Sequence, residues 1–148
     1  MVSKKSIHGV IAASMITLSM VTSAYATISC PSTTDVKGAV SALNTVMRQS
    51  EKGYFVLTAQ PAINASNLDW ILVAQTSGNG FDAAYANGQN SVKSVIAAVS
   101  DEPMEQQGFY LCGYISSGGI NVMTIAPQQQ KITFNPALIN LDVLKQKK

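Results

Sequence analysis

The chain has almost no histidine: His8 is the only one in 148 residues, and it sits in a stretch that reads as a removable leader. Without a mature histidine there is no Ser-His-Asp or Cys-His nucleophile system, no imidazole general base and no imidazole-built transition-metal site. Cysteine is nearly as scarce, with Cys30 and Cys112 the only two. Charged residues make up 12% of the chain, about half the usual share for a globular domain. The polar surface must therefore come from Asn, Gln, Ser and Thr, and a neutral surface of that kind opposes association only weakly. No apolar run reaches the roughly 18 residues needed to span a bilayer.

What is present begins with residues 1–26, which read as a secretory signal peptide. Lys4, Lys5 and His8 form the positive start, Gly9–Val21 the apolar centre, and Ala24-Tyr25-Ala26 the A-x-A cleavage pattern. Thr17, Ser19, Thr22 and Ser23 interrupt the apolar run. Cleavage after Ala26 predicts a periplasmic or secreted protein with no stable membrane span. Lipidation of Cys30 is the alternative, but it would want a large aliphatic residue where Thr27 stands and would strand Cys112 in an oxidising compartment. An even pair of cysteines in an exported chain is read instead as a disulfide, Cys30–Cys112. Removing 26 of 148 residues leaves 122, the size of one domain. Lys4 and Lys5 leave with the leader, so eight Lys and Arg face eight Asp and Glu, and the mature net charge is zero. Nucleic acid is therefore not an expected partner.

Along the mature chain, Val36, Ala39, Val40, Leu43, Val46 and Met47 recur at three- and four-residue steps. They predict a helix over 32–50, capped by Ser32 or Thr33 with Asp35 in its first turn and stopped by Gly53. Strands are predicted over Tyr54–Gln60 and Leu68–Thr76, with a turn at Asn64–Asn67. Phe81–Ser100 reads as a second helix, weakened at Gly88. After the acidic loop Asp101–Gln107, strands Phe109–Ser116 and Ile120–Ala126 meet at the tight turn Ser117-Gly118-Gly119. The predicted fold class is α+β in the order α-β-β-α-β-β, an antiparallel four-stranded sheet with two helices on one face and one disulfide. Residues 27–127 make the single domain, and 128–148 a C-terminal segment that docks on it through Phe134–Leu144, ending in a frayed basic tail. Gly53, Val56, Thr58 and Pro61 recur 66 residues later as Gly119, Val122, Thr124 and Pro127, which fits a duplicated unit.

The strands pose a problem. In Tyr54-Phe55-Val56-Leu57 and Phe109-Tyr110-Leu111 both faces are apolar, whereas a half-solvated strand alternates. The second face, with Phe55, Leu57, Phe109 and Leu111 as its candidate interaction residues, needs cover from the C-terminal segment, another subunit or a ligand.

Catalysis is not expected. The carboxylates are scattered except for Asp101, Glu102 and Glu105, and no metal-binding spacing is present. One constellation has chemistry available. Tyr110 and Tyr114 form a Y-x-x-x-Y pair that resembles the motif of certain extracellular heme-binding modules, in which one phenolate ligates ferric iron. Both would share a strand face with Cys112, which places them beneath the helices if the disulfide forms.

Cys30-Pro31 opening a helix, Gly53-Tyr54-Phe55-Val56-Leu57 after it, and a second Cys in a late strand resemble a small exported family of unknown function from Legionella and Coxiella-like bacteria. Some of its members are named hemin-binding proteins, and others are linked to the envelope function of the Dot/Icm type IV secretion system. The resemblance implies a virulence-related envelope role. Two functions follow as expectations. The first is a protein-interaction module that meets an envelope partner or itself. The second is a hemin-binding protein using an apolar surface and Tyr110 or Tyr114, with heme the only cofactor in view.

Overall fold

A computed structural model describes residues 27–128. The expected leader and the expected docking of Phe134–Leu144 lie outside the described residues. The first helix, α1 (Thr33–Gly38), starts as its sequence demands. Ser32 Oγ accepts the Asp35 N–H at 3.1 Å and the Asp35 carboxylate accepts the Ser32 N–H at 3.2 Å. This reciprocal capping box satisfies two of the donors that every helix start leaves open.

The helix predicted over 32–50 ends far sooner. A 3₁₀ turn (Ala39–Ala42) follows α1, and the chain then becomes strand β1 (Thr45–Arg48). Asn44 breaks the run, its side-chain carbonyl accepting the Ala59 N–H at 2.9 Å. The β-branched Thr45 and Val46 then pair with Leu57 and Val56 of β2 (Gly53–Leu57). Val46 still turns to the core while Met47 turns away, so the apolar spacing served two periods at once. Gly53 opens a strand and stops no helix.

The chain continues through β3 (Ile63–Ala65), β4 (Leu68–Ser77), α2 (Phe81–Lys93), β5 (Ala97–Ala98), β6 (Met104–Gln106), β7 (Phe109–Ser116) and β8 (Gly119–Pro127). The fold is α+β, but the antiparallel sheet has eight strands, with the path β1-β2-β4-β8-β7-β5, β3 beside β4 and β6 beside β7. The four expected strands are its centre. The other four hold two to four residues each, cut from the ends of expected helices and loops. The second helix stops at Lys93, seven residues short of the predicted end, because Ile96 and Val99 give their N–H groups to Ile115 and Gly113 of β7. The turn at 64–67 tightens to Ser66 and Asn67, both left-handed, with β3 pairing back on β4.

One cross-strand row, Val46–Val56–Ala74–Val122–Tyr114–Ala98, crosses six strands on the face that the helices cover. At Gly88, α2 comes so close to this row that a Cβ would lie 2.7 Å from the Val56 side chain. Trp70 and Leu72 fill the same core beside Val36, Val92 and Val95, and the Trp70 indole N–H reaches Ala65 O at 2.9 Å. The expected disulfide Cys30–Cys112 ties the start of α1 to β7, with Cα atoms 5.7 Å apart.

The topology gives no support to a duplicated unit. The β1–β2 and β7–β8 hairpins flank β4 on opposite sides, yet Val56 and Val122 face the same way. Both β2 and β8 run antiparallel to β4, and a two-fold rotation that kept their shared direction would flip their faces. Among the described residues no helix is long and apolar enough to cross a membrane.

Candidate functional site

Tyr114, expected as a ligand candidate or a core aromatic, is fully buried under the helices. Its hydroxyl donates to Pro31 O at 2.7 Å and lies 3.4 Å from the Thr124 hydroxyl. Burial pushes its phenol well above the ordinary value; the Thr124 hydrogen bond opposes that rise and the Asp35 charge adds to it. The group is a neutral donor committed to a backbone carbonyl. Tyr110 is half-buried against the same cluster, beside Cys112 on the shared face.

Phe55, Leu57, Phe109 and Leu111 do come together, on the opposite face. Val73, Met123 and Ile125 join them, and the seven are 1–9 % exposed. These side chains form a second core and offer no free surface. Among the described residues, those of the acidic loop included, no three His, Cys, Asp or Glu side chains gather to hold a metal.

The site that the structure adds lies at one end of the two central strands. β4 and β8 pair from Ile71/Ile125 to Ala74/Val122, and there the ladder stops. β4 nonetheless runs on to Ser77, paired with Gly53 of β2, and β8 begins at Gly119, paired with Ser116 of β7. The sheet therefore forks. Residues 75–77 form one prong and residues 119–121 the other, with an open cleft of about 740 Å³ between them that also reaches Gly118. Its lining is amide, hydroxyl, glycine and one isoleucine, with no charged side chain.

The second helix holds both prongs from below. Asn87, Ser91 and Ser94 stand four and three residues apart, so they share a stripe of the helix and its cap. Asn87 Nδ2 donates to Ser77 O at 2.7 Å on the β4 prong. On the β8 prong, Asn121 Nδ2 donates to Ser91 Oγ at 3.1 Å, and Ser117 gives both its N–H and its hydroxyl to Ser94 Oγ at 3.2 and 3.0 Å. Ser116 Oγ closes the network by donating to Asn121 Oδ1 and accepting the Gly118 N–H. Gly119, at φ +96°, makes the turn that starts β8, a conformation that a side chain would strain. On the outer side Gln75 Nε2 donates to Gln49 Oε1 at 2.9 Å. Such a network presents rigid, neutral donors and acceptors, and it suits recognition through hydrogen bonds without charge.

Ser117, Gly118 and Gly119 are read from the sequence only as a tight turn, and none of the fork residues is read there as a site. Two signals were there: both central strands turn from apolar to polar at the ends that meet, and Asn87, Ser91 and Ser94 have helical spacing. What the sequence did not show is that these ends lie side by side. No protein-family model, curated protein or solved structure matches the chain, so the family resemblance stands on the quoted residues alone.

Proposed function

We propose that the chain is an exported, non-catalytic binding module that recognises a protein partner of the cell envelope through the fork between β4 and β8. The supporting observation is the pair of strand ends that no ladder joins, facing each other across an uncharged cleft of about 740 Å³. Neutral amides, hydroxyls and unjoined strand edges are the complement of a polypeptide backbone, so the matching ligand is an extended, uncharged segment. Phe81, 56 % exposed and edge-on to Tyr54 at 5.5 Å, stands beside the β4 prong, since Tyr54 pairs with Thr76. It adds an apolar anchor of the kind that dominates protein contacts. A place beside a secretion system rests on the family resemblance.

The test is photo-crosslinking in the native cells, with the reactive group placed at Thr76 or Asn121 and, as control, at Lys37 on α1. A discrete adduct from the two fork positions alone is expected. Equal adducts from all three, or none from the fork, would remove the reading. The hemin alternative is tested in parallel by titrating the purified protein. A saturable Soret shift that Tyr110→Phe abolishes would favour it over the fork, because Tyr114 already gives its proton to Pro31 O.

A further inference from the structure

We infer that the second sheet face is the seat of the chain's own segment Phe134–Leu144. The seven side chains there are nearly as buried as those under the helices, yet no residue of α1, the 3₁₀ turn or α2 belongs to their cluster. Strand residues alone cannot hide both their faces, so the cover comes from outside residues 27–128.

Two stretches of the chain lie outside, and the ends of the described part discriminate between them. At the N-terminal end, Ile28 and Cys30 pack against the helix-side core. At the C-terminal end, Pro127 pairs with Phe109, a member of the second core, and Gln128 N–H donates to Gly108 O at 2.9 Å. The chain therefore leaves the sheet at the border of the face that needs cover. Residues 129–133 can extend about 17 Å, enough to turn onto that face. Beyond them Phe134, Leu138, Leu141 and Leu144 recur at three- and four-residue steps, and Asp142 is the only charge in the segment. Its apolar character matches a face built from Phe, Leu, Val, Met and Ile. Unlike the fork, this face is closed to partners while the segment is seated.

The experiment is methyl NMR on the full chain, expressed with its leader, together with its molar mass in solution. Contacts from the Met123 and Ile125 methyls to those of Leu138 and Leu141 are expected, and they should survive in a mixture of labelled and unlabelled protein as contacts within one molecule. Contacts only between molecules would identify a second copy as the occupant and overturn the inference, as would their absence. A second arm uses Leu138→Ser with Leu141→Ser. Fluorescence of a dye that binds exposed apolar surface should rise several-fold, and an unchanged signal would also overturn it.

Discussion

The two ends of the β4–β8 ladder are built from different chemistry. At one end Ile71, Ile125 and Leu111 lie across three neighbouring strands, with Met104 of β6 continuing the row. At the other the ladder stops after Ala74 and Val122, and the strands part into prongs of Gln, Thr, Ser, Gly and Asn with a single isoleucine, Ile120. Apolar side chains gain by closing on each other, about 25 cal/mol for each Å² removed from water. Polar prongs gain little by closing and are held apart by hydrogen bonds to α2 instead. The closed end therefore carries stability, and the proposed recognition is assigned to the forked end.

The largest effect should come from the crosslink that anchors the closed half. Cys30→Ala with Cys112→Ala frees a loop of 82 residues' separation, and urea unfolding should show a loss of about 4.5 kcal/mol. Next, Ile125→Ala opens a cavity between Ile71 and Leu111, with an expected loss of about 3 kcal/mol in the same assay. Gly88→Ala probes the last joined row, where α2 meets Val56. The clash should exceed the gain in helix propensity, for a net loss of about 2 kcal/mol and weaker crosslinking from the fork.

Tyr114→Phe should cost about 1 kcal/mol at neutral pH through its bond to Pro31 O. Its sharper readout is alkaline. The folded phenol stays protonated above the pH, near 10, at which the unfolded one ionises. Above that pH the unfolded state binds fewer protons, so stability falls as pH rises. The phenylalanine variant should lack that component of the fall, which paired unfolding curves from pH 8 to 11 would show. The smallest change in stability belongs to the fork. Gln75→Ala should move stability by less than about 0.5 kcal/mol, while reducing the yield of the adduct formed at Asn121.

Much of the closed architecture was legible in the sequence. A cap at Ser32 or Thr33, the four central strands and the disulfide all follow from local chemistry and from cysteine parity in a chain expected to be exported, and the structure selects Ser32 as the cap, in a box with Asp35. Helix lengths did not follow, because Val46 and Met47 satisfy a helical and a strand period alike, and only the pairing with β2 decides between them. Ile96 shows the same limit. It extends an apolar helical pattern, yet it is 73 % exposed and gives its N–H to β7. The tyrosine pair was visible as a motif, and the disulfide correctly placed it under the helices. The fork was hidden because it is a relation between residues some 44 positions apart, Gln75 and Gly119, and single-chain periodicity carries no such relation.

The central claim is that the sheet is open between the prongs, and residue-resolved amide hydrogen exchange on the free protein tests it most directly. Protection should be high for the cross-ladder amides of residues 71–74 and 122–125. It should collapse at the inward-pointing amides of residues 75–77 and 119–121, while their outward amides, bonded to β2 and β7, stay protected. Unbroken protection of the inward amides as far as Ser77 and Gly119 would mean that the ladder closes in solution, and that would contradict the fork.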